Sequence, residues 1–417
     1  MKVLVVNAGS SSLKYQFLDT VSGDVLAKGI CERIGIGDPV GSEGKIDHKV
    51  NGEKYEKNYS MPDHAVAMKI VIDYLTDAKI GCIKSMDEIE AVGHRVVHGG
   101  PYFFESVLLN DEVLEKLKLC YDFAPLHTPA HIMGIEGCLA VMPEKPQVLV
   151  FDTAFHQTMP EEAYMFGYSY DMYEKYHVRR YGAHGTSHRF VAAEMAKILG
   201  KPIEELKIIT CHIGNGGSIS AVDCGKCVDT SMGFTPLDGI IMGTRCGSVD
   251  PSTVTYIMQK EGFTPDEMNN YMNKKCGFLG ISGFSSDSRD IEAAIKGTDL
   301  QGNPVSAENT HRANIAANVI AYQTKKYIGA YTAAMNGLDA VVFTAGMGEN
   351  NPELRERVCA NMDFFGIKID NELNAKILRQ SDNVDLSAPD SKVKVYVIPT
   401  NEELMIAKDT ESIVSKL

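Results

Sequence analysis

Short apolar runs that end in small polar turns alternate, along this chain, with longer stretches in which apolar residues recur every three to four positions. The pattern opens at Val3 to Asp19. VLVV is a β-rich run, NAGSSS is a turn and LKYQFLD alternates, so the segment predicts strand, turn, strand. About 205 residues later, Lys207 to Val222 repeats it with an apolar run, a Gly/Asn/Ser turn and an alternating strand. Two such units predict a duplicated core, one copy in each half of the chain.

Elsewhere helices and strands alternate. Helical periods cover Asp63 to Leu75, Asn110 to Leu119 and the stretch after Pro129. Arg189 to Leu199 continues a helix that Thr186 or Ser187 would cap. Ser306 to Met335 runs without proline and holds Ile315, Val319, Tyr322 and Ile328 at helical spacing. Ala91 to Val97, Gln147 to Phe151, Leu338 to Phe343 and Val393 to Ile398 read as strands. The last two lead into the polar segments TAGMGENNPE and PTNEE. Gly346 to Asn350 reads as a third polar turn, ahead of a helix that Asn351 caps and Pro352 begins. The class is α/β with mixed sheets. No Pro/Gly/Ser-rich linker separates the halves, and the crossover is expected near Asp152.

Composition narrows the reading. With 417 residues the chain exceeds the ~250–300 at which a single core stops growing, so two domains are expected. A net charge of −14 argues against a nucleic-acid or anionic-membrane binder. No run reaches the ~18 apolar residues of a membrane span, and MKVLVV is too short for a signal-peptide core. The ten scattered cysteines then read as reduced thiols. Cys224 and Cys227 form a lone CxxC, which reads as a hairpin turn at Gly225 rather than a zinc site.

Several segments could carry chemistry. Exposed N–H groups in the turn of NAGSSSLK, Asn7 to Lys14, can cradle phosphate, with Lys14 adding charge, or the segment is a plain hairpin. It lacks the GxxxxGK[ST] pattern and leads into a strand, so it is not a Walker A loop. The twin turn at His212 to Ser218 and the third at Gly346 to Asn350 favour a nucleotide. Arg95 and Val97 alternate onto one face of a strand, where a guanidinium holds a carboxylate and a valine packs an alkyl end, or Arg95 is a surface residue. Asp152 follows a strand, where it binds a metal, orients an arginine or caps a turn. His184 and His188 are spaced i, i+4, but no third metal ligand is evident and flanking glycines favour a loop. Arg245 stands between glycines in GTRCG, which lets backbone approach a ligand. Glu402 follows a strand and either meets a magnesium ion or is an acidic first-turn residue.

Taken in order, NAGSSSLK, GHRVVHGG, FDTAFH, HGTSH, HIGNGGS, MGFTPLDG, MGTR and GMGEN resemble the acetate kinase family, from residue 2 to about residue 405. That resemblance implies duplicated actin-like (ribonuclease H-like) domains with mixed β-sheets flanked by helices and a nucleotide in the interdomain cleft. The domains would be 1–151 plus 403–417, whose helix returns, and 152–402. It implies a phosphotransferase that makes acetyl phosphate and ADP from acetate and ATP, reversibly. Propionate or another short-chain fatty acid is the alternative acceptor. It further implies magnesium, with manganese as a substitute, a homodimer and a cytoplasmic location. By motif, Asn7 and Glu402 resemble the metal-linked pair, and Ser10, Ser12 and Lys14 the phosphate loop. Arg95 resembles the substrate arginine, Asp152 the acidic active-site residue, and His184 and Arg245 the transition-state stabilisers. His212, Ile213, Gly214, Asn215 and Gly216 resemble one nucleotide segment. Asp287, Ser288 and Arg289 resemble a second, and Gly346, Met347, Gly348, Glu349 and Asn350 a third. Val97, Leu126 and Pro236 resemble the methyl pocket. The chain departs from the family at Ala183, where a phenylalanine usually walls that pocket, and at Ala345, where a glycine is frequent.

Acetate is ionised at neutral pH, since carboxyl pKa values lie near ~4, and needs no general base. The task left to such an enzyme is positioning two anions and neutralising charge on the phosphoryl group. A sugar kinase on the same fold would use Asp152 as a base but has no need of both Arg95 and Arg245. A nucleotide-switched filament or chaperone is disfavoured, because little of the chain is left for a separate peptide-binding domain and the helices show no obvious filament signature.

Overall fold

The first alternating segment folds as a hairpin. β1 (Lys2–Gly9) and β2 (Ser12–Asp19) pair antiparallel in unbroken register from Lys2↔Asp19 to Gly9↔Ser12. β3 (Val25–Glu32), β4 (Gly44–Val50) and β5 (Glu53–Tyr59) extend the meander. β6 (Ala91–Val96), β7 (Val107–Leu108) and β8 (Gln147–Phe151) complete a sheet of order β5-β4-β3-β2-β1-β6-β8-β7, in which β6 runs parallel to β1 and β8 parallel to β6. Both faces of β1 are covered, which explains its apolar run. Leu4 and Val6 pack with Met68 and Val71 of helix His64–Thr76 and with Cys138 of helix Thr128–Val141. Val3 and Val5 pack with Ile406 and Ala407 of helix Glu402–Val414. Asp63 and Asn110 cap their helices as N-cap acceptors.

The second alternating segment begins another sheet, β9 (Lys207–Ile213), β10 (Gly217–Asp223), β11 (Lys226–Thr230), β12 (Ala340–Thr344), β13 (Val384–Asp385) and β14 (Lys394–Val397). Its order is β11-β10-β9-β12-β14-β13, with β9, β12 and β14 parallel. Its strands β11-β10-β9-β12-β14 repeat the order and directions of β3-β2-β1-β6-β8, so the duplication extends beyond the hairpins. The Cys224–Gly225 turn joins β10 to β11 with both residues at positive φ, and all ten cysteines are free thiols.

The structure is a computed structural model that describes residues 1–125, 127–378 and 382–417. It divides into Met1–Phe155 with Asn401–Leu417, and His156–Thr400. Asp152 and Glu402, expected in the second domain, therefore belong to the first. The Asp152 amide donates to Val96 O at 2.9 Å, which ties it to the first sheet, and the helix begun by Glu402 packs on that sheet's β1 and β8.

Three local expectations are corrected. The helix Gly185–Leu199 is capped by neither Thr186 nor Ser187, which lie inside its first turn. His184 is the N-cap residue, in a left-handed conformation at φ 57°. Gly346–Asn350 is not a turn but lies in a short helix, Ala345–Asn350, that follows β12 directly. The Glu349 carboxylate accepts from Ala345 N at 2.7 Å and closes that helix on itself. The long helix Ala307–Ala334 forms as expected, but its buried stripe is Ala313, Ala316, Ala317, Ile320, Ala321 and Ile328. Ile315 and Tyr322 are 41% and 65% exposed. Alanines fill much of the buried face and let the helix pack closely, while Ile315 and Tyr322 are turned outward. Among the described residues no helix is long and apolar enough to cross a membrane.

Candidate active site

In both sheets several candidate residues, among them Arg95, Asp152, Gly214 and Gly346, sit at or beyond the carboxyl ends of parallel strands, where open α/β sheets bind ligands. In the first unit, Arg95 lies near the end of β6, Asp152 directly follows β8, and Glu402 is the first residue of its helix behind the cap Asn401. Arg95 donates to Asp152 twice, Nη2 to Oδ2 at 2.7 Å and Nε to Oδ1 at 3.3 Å. Its Nε is 3.7 Å from Glu402 Oε2. The Asp152 carboxylate raises the Arg95 pKa, so the guanidinium stays charged. Burial pushes the Glu402 carboxyl up to about 7; Arg95 opposes that rise, and Asp152 and Glu403 add to it. A guanidinium has five N–H donors, so the two bonds to Asp152 leave others for a substrate carboxylate.

Asn7 lies on β1 opposite Lys14 of β2, Ser10 lies in the turn between the strands and Ser12 begins β2. Val97 is buried, and its N–H donates to His131 Nε2 at 3.3 Å. His131 was not picked out in the sequence, although His127 and His131 sit one helical turn apart with stacked rings. Burial first, then His127 and Arg95, hold its pKa down at about 3, so the ring is neutral. Leu126 lies outside the described residues.

In the second unit, His184 and Arg245 converge. A β-carbon built on Gly216 would lie 3.4 Å from His184 Nε2 and 3.5 Å from Arg245 Nη1. The two nitrogens therefore flank one point above a glycine floor. Arg245 Nη1 donates to Pro236 O at 3.2 Å, and burial lowers its pKa. Among the described residues no carboxylate forms an ion pair with it, in contrast to Arg95. His184 Nδ1 is 2.9 Å from Ser218 Oγ, and its ring stacks on His212 at 4.1 Å. Ala183 is buried with Met232 and Met242 in a small apolar cluster.

The three expected nucleotide segments meet around a cavity of about 760 Å³, within the range of small-molecule sites. Gly214, Asn215, Asp287, Ser288, Arg289, Gly346, Met347 and Asn350 line it. Gly243, Ser286, Asn351 and Leu378 complete the lining and were not expected there. Asp287 caps its helix and pairs with Arg289 at 2.6 Å. His212, Ile213, Gly216, Gly348 and Glu349 do not line the cavity. His212 Nδ1 bonds Ser187 Oγ at 2.8 Å, and Glu349 Oε1 serves Ala345 N and Thr400 N. Beneath this wall Arg355 is wholly buried and donates to Gly348 O and Glu349 O at 2.9 and 3.0 Å.

The donor chemistry fits a hard divalent cation. Asn7 and Glu402 offer oxygen ligands, and among the described residues no group of three or more His, Cys, Asp or Glu forms a cage. Magnesium suits such a sparse set, because it keeps waters and takes phosphate oxygens.

The acetokinase family model matches residues 2–408. Acetate kinase of Thermoanaerobacter pseudethanolicus is 55% identical over 419 residues, covering 100% of both chains. That of Methanosarcina thermophila is 54% identical over 99% of this chain and 97% of its own. Among solved structures, Porphyromonas gingivalis acetate kinase aligns with a TM-score of 0.91 and 47% identity over 99% of each chain. A propionate kinase from Francisella tularensis aligns with a TM-score of 0.87 and 39% identity, again over 99% of each.

Proposed function

The chain belongs to the acetokinase family, and from that premise we propose that it transfers the terminal phosphoryl group of ATP to acetate. An acetate oxygen attacks the γ-phosphorus, the bond to the β–γ bridging oxygen breaks, and acetyl phosphate and ADP leave; the reverse reaction retraces the path. No proton needs to move to start it, because the acceptor is already an anion. The observation that carries the reading is the pairing of His184 Nε2 and Arg245 Nη1 above Gly216. Two donors there suit the charge that spreads over a transferring phosphoryl group.

The other residues take roles that their geometry supports. Arg95, steadied by Asp152, binds the acetate carboxylate, and Val97, Leu126 and Pro236 receive the methyl group. The cavity bounded by Gly214, Asp287 and Gly346 holds the nucleotide, and Ser10, Ser12 and Lys14 contact its phosphates. Asn7 and Glu402 would hold magnesium, which neutralises phosphate charge when bound. Family membership also supports a homodimer working in the cytoplasm. Hydroxylamine trapping of acyl phosphate from formate, acetate, propionate and butyrate tests the reading. Acetate is expected to give the highest kcat/KM, and no acyl phosphate from any acid would sink it.

A further inference from the structure

The i, i+4 histidines His184 and His188 are joined by a hydroxyl. Ser218 Oγ lies 2.9 Å from His184 Nδ1 and 2.7 Å from His188 Nε2. His188 Nδ1 in turn lies 2.7 Å from Thr210 Oγ1. Ser218, His188 and Thr210 are all fully buried. Burial lowers the His188 pKa well below the usual range, so this ring is neutral and carries one N–H.

Hydrogen counting then orders the chain. Ser218 has one proton for two nitrogens, so one nitrogen receives it and the other must donate. If Thr210 donates to His188 Nδ1, then His188 Nε2–H donates to Ser218 Oγ and Ser218 donates to His184 Nδ1. The three donors Thr210 Oγ1–H, His188 Nε2–H and Ser218 Oγ–H then each have an acceptor, and His184 Nδ1, as the acceptor of the last, leaves Nε2 as the ring nitrogen that carries the proton. If the order is reversed, His184 donates through Nδ1, and the Thr210 hydroxyl only accepts. Its own hydrogen then lies buried in β9 without an acceptor, because His188 is its side-chain partner among the described residues.

We infer that Ser218, backed by His188 and Thr210, is a positioning residue that fixes the His184 tautomer so that Nε2–H faces the point above Gly216 beside Arg245. This rests on the reading of His184 as a donor to the transferring phosphoryl group. The left-handed backbone at His184 fits it, since a non-glycine residue held there pays in strain and its side chain makes no cap bond.

Nitrogen-15 NMR of histidine-labelled protein reports the tautomer without reference to turnover. Wild-type His184 is expected as the Nε2–H form, and Ser218→Ala as a mixture. In assays Ser218→Ala is expected to lose about 10²-fold in kcat, the size of one misaimed transition-state donor, with both KM values little changed. Ser218→Thr keeps the hydroxyl and should recover most of the loss. Should Ser218→Ala fail to fold, Thr210→Val, which keeps shape and removes the terminal donor, is expected to shift the His184 tautomer in the same direction. An unchanged His184 tautomer in the folded variants overturns the inference, and so does a Ser218→Thr protein as slow as Ser218→Ala. A shifted tautomer with unchanged kcat leaves the relay standing and instead removes His184 from the reaction; full activity in His184→Ala would say the same.

Discussion

Arg95 grips Asp152 with two hydrogen bonds, Nη2 to Oδ2 at 2.7 Å and Nε to Oδ1 at 3.3 Å. On the proposed function Asp152 orients Arg95 rather than accepting a proton, since a carboxylate substrate needs no base. Asp152→Asn keeps the size, loses the charge and turns an amide N–H₂ toward a cation. The expected outcome is a fall in kcat of about 10²–10³-fold at every pH from 6 to 9, with a raised KM for acetate. A loss confined to one limb of the pH profile would point to proton transfer at Asp152.

Gly216 has a φ that any residue adopts, and its added β-carbon would meet His184 Nε2 and Arg245 Nη1 at ordinary contact distances of 3.4 and 3.5 Å. Gly216→Ala should therefore fold with wild-type stability to within ~1 kcal/mol, since it neither strains the backbone nor overpacks a core. The methyl group would occupy the point on which both donors converge. Circular dichroism melts should be unchanged while kcat falls at least ~10²-fold. An active Gly216→Ala enzyme would place the reacting phosphoryl group elsewhere.

The hairpin pattern, read twice, indicated the duplicated core, and the polar segments behind strands pointed to Gly214–Asn215 and Gly346–Asn350, whereas Asp287–Arg289, which follows a helix, was indicated only by the family resemblance. These features are local and periodic, which is why a sequence displays them. The relay from His184 through Ser218 and His188 to Thr210 was not legible, because it joins a helix to two strands by side-chain hydrogen bonds. Nor was the buried face of helix Ala307–Ala334. There alanines rather than Ile315 or Tyr322 decide the contact, since close approach counts for more than side-chain size. Arg355 gave no signal, because a lone arginine in a helix ordinarily reads as solvated.

Glu402 gives a stability prediction with a sign. Its carboxyl is raised to about 7, first by burial, from an ordinary value of 4.5. Between those values the native state keeps a proton that the unfolded chain has lost, so this group's contribution to stability falls as pH rises from about 4.5 to about 7. Above 7 the cost is constant. Glu402→Gln should therefore stabilise the ligand-free protein by up to about 3 kcal/mol at pH 8 and by nothing near pH 4.5. Thermal melts at pH 5 and pH 8 check it: an equal Tm change at both would contradict the assignment. Activity with ATP should drop in the same variant.

The motif resemblance implies a pocket-walling phenylalanine where Ala183 stands, and Ala183 is buried with Met232 and Met242. Flexible thioether side chains yield more readily than an aromatic ring. The wild type should discriminate acetate from propionate at the low end of what one methylene gives, about tenfold in kcat/KM. Ala183→Phe should widen that ratio, at a stability cost of about 1–3 kcal/mol for overpacking. A ratio unchanged in the folded variant would mean that Ala183 does not wall the acyl pocket.

Among the described residues Arg355 is the largest fully buried side chain, and oxygen atoms rather than an ion pair hold it. It donates to Asn374 Oδ1, Gly348 O, Glu349 O, Asn374 O and Ile377 O at 2.8 to 3.3 Å. Burial lowers its pKa to about 10, so it stays charged at neutral pH. Two of its acceptors are carbonyls near the end of helix Ala345–Asn350, whose Gly346, Met347 and Asn350 line the cavity proposed for the nucleotide. Arg355→Met removes the donors and leaves several buried oxygens unsatisfied, which should cost at least ~3 kcal/mol in denaturant unfolding. Arg355→Lys, with three donors, should lose less. Because the cavity wall loosens, KM for ATP should rise in the lysine variant while KM for acetate holds. An equal rise in both would show that Arg355 supports the fold at large and not the nucleotide wall.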